Sequence, residues 1–300
     1  MIVQRDHRPL ARRTHDRAAR WNGAKTAALL GGLAGLFCYV GSLFGPAGTT
    51  VGAALGIATV AGSWWFSDRL ALRAAHARPL RPADAPGVAT TVKSLAARAG
   101  IPTPSLWVID DPQPNAFATG RDPDHGALAV TTGLLRTLPP AELDGVLAHE
   151  IAHIAHRDTT IVSVAAAIAT AISALANLVM WLPFFGYHDD DDGGANPFGL
   201  LAAAVLAPVA ATVVQLAISR TREYDADREA ARLLGDPRPL AQALNRIDRA
   251  AATLPMAIPP AQAAHYIVNP LAGSGLAGLL STHPPVPARI RRLLDLSYER

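Results

Sequence analysis

The chain has 300 residues, enough for a sizeable core and for more than one compact unit. Half of them are hydrophobic and only 17% are charged, below the usual quarter for soluble domains, so the composition points towards a membrane protein. The net charge is only +3, and arginine gathers at the N-terminus and after the apolar runs, a distribution that fits membrane topology and argues against a nucleic-acid surface.

Residues 1–25 carry Arg5, Arg8, Arg12, Arg13, Arg17, Arg20 and Lys25, and Trp21 stands at the border of an apolar run. A basic flank before a hydrophobic span reads as a cytoplasmic anchor. Residues 26–44 and 47–66 contain no charge, and each is about the length that spans a hydrocarbon core, with Gly45 and Pro46 breaking between them. No small-residue cleavage site with a polar mature start follows, so 26–66 is expected to be a retained transmembrane hairpin. The single cysteine, Cys38, lies in the first run; an intrachain disulfide and a thiolate metal site are excluded, and a catalytic thiol is disfavoured in such surroundings. Trp64, Trp65 and Phe66 fit an interfacial belt, and Arg69, Arg73, Arg78 and Arg81 restore the positive side.

Residues 68–100 read as helical, with Val88, Val92, Leu95 and Ala96 as an apolar stripe ending at Gly100 before a proline. Two short β-prone segments follow, SLWVID at 105–110 and GALAVT at 126–131, and they predict a small sheet. They bracket DPQPNAFATG at 111–120. Composition favours a proline-bounded loop there; the other reading is a sheet edge at 115–119 that binds an extended substrate by strand addition.

Residues 139–158 read PPAELDGVLAHEIAHIAHRD. Pro139, Pro140, Glu142 and Asp144 suit a helix start, because proline fits the first turn and carboxylates favour the positive end of the macrodipole. Leu143, Val146, Leu147, Ile151 and Ile154 recur at three- and four-residue spacing, so one face is packed into a protein body. His149 and His153 then project from one face a turn apart and can grip one metal ion, while Glu150 can reach a metal-bound water without being a ligand. That is the H-E-x-x-H arrangement of zinc peptidases, whose carboxylate is the general base. Two histidines leave a metal under-coordinated, so a third ligand is needed.

Residues 160–185 are again uncharged; a short acidic loop, YHDDDDGG at 187–194, separates them from 198–219. This reads as two further spans or as a buried helical hairpin, and length and the absence of charge favour the membrane. Next comes SRTREYDADREA at 219–230. If the two runs form a hairpin, the chain returns here to the face where it left the metal helix and brings Glu223 back towards His149 and His153. Glu223 and Asp227 lie four apart, so Glu223 can complete the site while Asp227 orients a ligand histidine. On charge pattern alone the stretch reads as a solvated helix laced with ion pairs.

His156 is a rival ligand, but seven residues place it about 10 Å from His149 along the axis. It is expected near the last carbonyls of the helix. No metzincin continuation follows His153. His283, in STHPP, is a lone loop histidine, and His125, His188 and His265 have no partner recognisable in the sequence.

HEIAH before an apolar hairpin, SRTREYDAD after it, PNAFATG upstream and STHPP near the C-terminus, in that order, resemble the HtpX-type membrane zinc metalloproteases, relatives of the CAAX prenyl-protein proteases. The resemblance covers essentially the whole chain; the arginine-rich N-terminal extension is least covered. It implies one zinc ion per subunit on His149, His153 and Glu223, Glu150 as catalytic base, and Asn115, Ala116 and Phe117 on a substrate-facing edge. It places His283 near the active site, where it is a candidate donor to the tetrahedral oxygen. It also implies unfolded or misassembled membrane proteins as substrates, cut on the cytoplasmic side in quality control, and self-cleavage.

The expected fold is therefore α+β and predominantly helical, with membrane-embedded helices, a small mixed sheet and an HExxH peptidase domain. The expected organisation is a basic segment (1–25), a transmembrane hairpin (26–66), the first part of the peptidase domain (67–159), a second hairpin (160–218) and the rest of the peptidase domain (219–300). Four crossings are even, so both termini and the catalytic domain are expected in the cytoplasm, with the chain in the plasma membrane. The rival readings are a processing enzyme for one defined protein and a catalytically silent zinc-binding scaffold. A metal transporter would want ionisable ligands inside the spans, and there are none.

Overall fold

A computed structural model describes residues 45–165, 220–254 and 284–296, with scattered positions between 24 and 44, Met256 and residues 266–268. Helix α1 (Gly45–Trp65) begins at the Gly45-Pro46 break, where Gly45 takes φ 83°. It carries no charged side chain, but its glycines, threonines and terminal tryptophans dilute it. Among the described residues no helix is long and apolar enough to cross a membrane. The expected crossing at 47–66 thus has its helix without the apolar density of a span. The basic segment and most of the first run lie outside the described residues, as do 166–219; residues 158–165 are helical.

The single helix expected over 68–100 is divided. Helix α2 (Ser67–Ala74) stops, His76 adopts φ 50°, strand β1 (Arg78–Pro79) follows, and α3 (Pro86–Ala99) starts on a proline. Pro79, Pro82 and Pro86 have no amide hydrogen to give an α-helical ladder, which is why the chain turns here. The stripe on α3 is as expected: Val88, Val92, Leu95 and Ala96 are buried, and Gly100 closes the helix in the left-handed region.

Strands β2 (Ser105–Ile109), β3 (Ala116–Thr119) and β4 (Ala127–Thr131) complete a mixed sheet in the order β1-β2-β4-β3. β2 and β4 are parallel, from Ser105 opposite Ala127 to Ile109 opposite Thr131. β3 runs antiparallel to β4, and β1 antiparallel to β2. Within the stretch 111–120 that composition favoured as a loop, residues 111–115 are irregular and Ala116–Thr119 form an edge strand. The Thr131 side chain sets its register: its hydroxyl donates to the Gln113 carbonyl (2.7 Å) and accepts from the Asn115 amide (2.9 Å). The same oxygen accepts from the Leu134 amide (3.0 Å) and caps α4 (Thr132–Thr137).

Helix α5 (Pro140–Ala155) is the hub. It packs on α6 (Arg220–Leu234), α7 (Arg238–Ala251), α3 and β3, and α8 (Val286–Asp295) closes against α6 and α7. Val146, Leu147, Ile151 and Ile154 are fully buried, with Leu240, Leu244 and Ile247 of α7 in the same core as the first three. At the end of α5, Arg157 takes φ 59°, a left-handed conformation costing a non-glycine residue on the order of 1 kcal/mol or more. The turn it makes sends Asp158 back along α5.

Candidate metal centre

Burial dictates what the α5 motif must do. His149 and Glu150 have almost no contact with solvent, so their polar atoms need partners. His149 presents Nδ1 to the Asp227 carboxylate of α6 at 3.0 Å. His153 presents Nδ1 to the Asp158 carboxylate at 3.0 Å. An imidazole donating from Nδ1 has its lone pair on Nε2. The two Nε2 atoms meet at 3.0 Å. Glu223 enters from α6 with its carboxylate oxygens 3.8 Å from His149 Nε2 and 3.5 Å from His153 Nε2. Ligand atoms of His149, His153 and Glu223 all lie within 4.8 Å of one another.

This donor set fits a divalent metal on chemical grounds. Ligand bonds of about 2.0–2.2 Å place neighbouring donors of one tetrahedral ion roughly 3.3 Å apart, close to the observed spacings. Carboxylates behind both histidines fix the tautomers and raise ligand basicity, the usual outer support of metal-bound imidazole. His156 caps the helix instead, its amide bonded to the Ala152 carbonyl, and stands outside this cluster.

The electrostatics follow from crowding buried charge. Burial, with the neighbouring His153 and Arg289, lowers His149 to about 4, so it is neutral. His153 is also pushed down by burial, but its bond to Asp158 and the charges of Glu223, Asp158 and Glu150 prevail and raise it to about 9. The two Nε2 atoms face each other at 3.0 Å, a juxtaposition that a shared cation would satisfy. Burial raises Glu150 to about 7, with Glu223 adding to the effect and His153, Arg289 and the Ala118 amide opposing it.

Sequence reasoning missed Asp158 and Arg289. Asp158 follows His153 by five residues, and only a left-handed turn at Arg157 aims it backwards. Arg289 of α8 is completely buried. Its Nε and Nη2 donate to the two Asp227 oxygens at 2.9 and 2.6 Å, and Nη1 lies 3.2 Å from a Glu223 oxygen. Asp227 would be pushed up by burial, but this guanidinium and its hydrogen bonds hold it well below the usual carboxylate range. Nothing in the sequence separates Arg289 from the other arginines of a basic C-terminal helix.

The predicted edge residues Asn115, Ala116 and Phe117 all lie at the sheet edge nearest α5, and all are buried. Ala118 of the same strand directs its amide at the Glu150 carboxylate. His283 and the histidines at 188 and 265 lie outside the described residues. His125, without a recognised partner in the sequence, bonds Asp122 through Nδ1 at 2.6 Å.

An HExxH helix whose histidines converge with a glutamate from a second helix is the arrangement of a metallopeptidase. The profile of "Peptidase family M48" matches residues 82–297. A "Protease HtpX homolog" of Burkholderia mallei (strain SAVP1) and another of Burkholderia pseudomallei (strain K96243) are each 45% identical over 281 residues, covering 92% of this chain and 98% of the relative. The crystal structure of S. mikatae Ste24p superposes with a TM-score of 0.50 at 20% identity, covering 92% of this chain and 66% of that one, a likeness of fold. The chain belongs to peptidase family M48, and it is a metalloprotease.

Proposed function

We propose that the protein is a membrane-bound zinc endopeptidase that cuts misfolded or damaged membrane proteins on the cytoplasmic side, with His149, His153 and Glu223 as metal ligands. The observation that carries this reading is the convergence of two Nε2 atoms, each with its tautomer set by a buried carboxylate, on Glu223. Zinc bound there would polarise the scissile carbonyl and acidify a water.

The remaining work belongs to side chains. Glu150 adjoins His149, is nearly solvent-free and titrates near 7, so it can accept a proton from the attacking water and pass it to the leaving amine. Asp227 and Asp158 keep the ligand rings in one orientation. Arg289 balances the buried carboxylates of Asp227 and Glu223. His283, which the family resemblance sets near the active site, is the proposed donor to the tetrahedral oxygen.

Support for a membrane setting comes from α1 and its border. Val51, Leu55, Ile57, Trp65 and Phe66 are large, apolar and more than 40% exposed on an uncharged helix, which leaves them in need of an apolar environment. The test is metal content beside casein hydrolysis for detergent-solubilised protein and its Glu150→Gln and Glu223→Ala variants. One zinc in wild type and Glu150→Gln, hydrolysis about 10²–10⁴ slower in Glu150→Gln, and weakened zinc in Glu223→Ala are expected. Zinc without hydrolysis in any form would favour a narrow-substrate processing enzyme or a silent scaffold, and a wild type without zinc would overturn the ligand set.

A further inference from the structure

We propose that the metal centre is fixed directly against the membrane boundary marked by Trp64, Trp65 and Phe66, and that its substrates are polypeptide segments cut within about ten residues of a membrane-inserted stretch. The inference rests on the peptidase reading above and names the part of a membrane protein that the same site takes.

One short turn joins the chemistry to that boundary. Strand β3 ends at Thr119, and Gly120 follows at φ 144°, where a Cβ would meet the His125 carbonyl oxygen at 2.7 Å. The turn aims Arg121 at the end of α1. Its Nη1 donates to the Trp65 carbonyl at 3.2 Å, and its guanidinium lies 4.6 Å from the centroid of the Trp65 ring. The same turn is held from its other side. Thr159 Oγ1 donates to the Gly120 carbonyl at 3.2 Å, Thr160 Oγ1 donates to the Arg121 carbonyl at 2.8 Å, and the hydroxyls of Thr119 and Ser163 bond at 2.8 Å. The end of the uncharged run 47–66 and the start of the uncharged run 160–185 therefore meet at one place.

Both halves of the centre lie within a few residues of this turn. Ala118, whose amide faces the Glu150 carboxylate, precedes Arg121 by three residues. Asp158, which accepts from His153 Nδ1, directly precedes Thr159. Three residues of chain reach at most about 11 Å. With one arginine side chain added, Glu150 is roughly 20 Å or less from Trp65, a gap that about six extended residues bridge. The boundary is also packed to the sheet, since Leu72 and Ala75 of α2 share a core with Phe117, Ala127 and Ala129 of β3 and β4. Its outer surface suits headgroups. Trp65, Phe66 and Leu70 are more than 40% exposed, and the Arg69 guanidinium lies 5.7 Å from the centroid of the Phe66 ring, so aromatic rings and cations stand side by side as at a membrane–water interface.

The experiment reconstitutes zinc-loaded, full-length protein in lipid nanodiscs with single-span substrates. Each carries one casein sequence that the enzyme cuts in solution, set either about 8 or about 40 residues beyond the span in a Gly/Ser linker, on the face that holds the peptidase domain. Cleavage is followed on gels, with Glu150→Gln as the blank and soluble casein hydrolysis measured in parallel. Effective concentration falls roughly as the −3/2 power of linker length once the linker can span the gap, so the near site is expected to be cut about tenfold faster than the far one. A near site left intact while the far one is cut would place the centre beyond the reach of a short segment and overturn the proposal. Equal rates at the two spacings would overturn it as well. Loss of soluble casein hydrolysis along with both would refute the peptidase reading, a different failure from an active enzyme indifferent to the distance from the span.

Discussion

Gly145 of α5 lies one turn before His149, where a methyl group would test how the metal helix is held. A Cβ built there meets the Leu240 backbone nitrogen at 2.7 Å and its Cα at 2.9 Å, and ordinary contact begins at 3.4 Å. Two effects compete in Gly145→Ala. Helix propensity favours alanine by about 0.8–1.0 kcal/mol. Overpacking costs about 1–3 kcal/mol, and the upper end applies because the obstruction is backbone at the start of α7, which cannot rotate away. Parting the helices by about 0.7 Å also forfeits a quarter to a half of the dispersion energy of each facing atom pair. Repulsion therefore wins by about 2 kcal/mol, or a melting temperature lower by roughly 4–8 °C for a domain of this size. The assay is a tryptophan-fluorescence melt in the Glu150→Gln background, which removes self-digestion, with zinc affinity measured alongside because the shift displaces His149 from Glu223. A melting temperature equal to or above that of the parent would refute the close-packed α5–α7 contact.

Other positions give equally definite expectations. Arg289→Met strands the Asp227 and Glu223 carboxylates in the core and should destabilise by about 3–5 kcal/mol; adding Asp227→Leu should recover part of this in a double-mutant melt, and strict additivity would refute the pair. Thr131→Val leaves the Asn115 and Leu134 amides without their shared acceptor and should cost about 2 kcal/mol or more by denaturation, with a stability equal to wild type as the failing result. Burial works to raise Asp122, but its bonds to His125 prevail and lower it, so its contribution to stability is complete above the ordinary carboxylate range and lost as pH falls through the folded value. The protection of the His125 amide, its exchange rate relative to the intrinsic rate at the same pH, should fall on acidification through that range in wild type and not in Asp122→Asn.

The metal helix was the most legible part of the chain because one short segment carries its start, its buried stripe and its ligand spacing. The sheet was half legible. SLWVI and ALAVT declare themselves by β-branched and apolar runs, but Ala116–Thr119 is a strand only because the Thr131 hydroxyl, twelve or more residues away, holds the Gln113 carbonyl and the Asn115 amide. The break at Arg78–Pro79 could have been read from three prolines within eight residues, a local signal outweighed by the apolar periodicity that follows it.

The site itself divides along the same line. Glu223 could be nominated because topology returns the chain to the metal helix, and Asp227 because it lies one turn further on the same face. Asp158 and Arg289 could not, since each is placed by a single three-dimensional circumstance: a positive φ at Arg157 and the docking of α8 against α6. Those two residues also determine the electrostatics of the centre. Asp158 accepts from His153 Nδ1, and Arg289 keeps Asp227 ionised against His149. The candidate ligands are therefore written in the sequence motif, while the groups that orient their rings and balance their charge come from residues the fold alone brings in. A search for such sites in other chains should weigh buried counter-charges behind the ligands as heavily as the HExxH spacing itself.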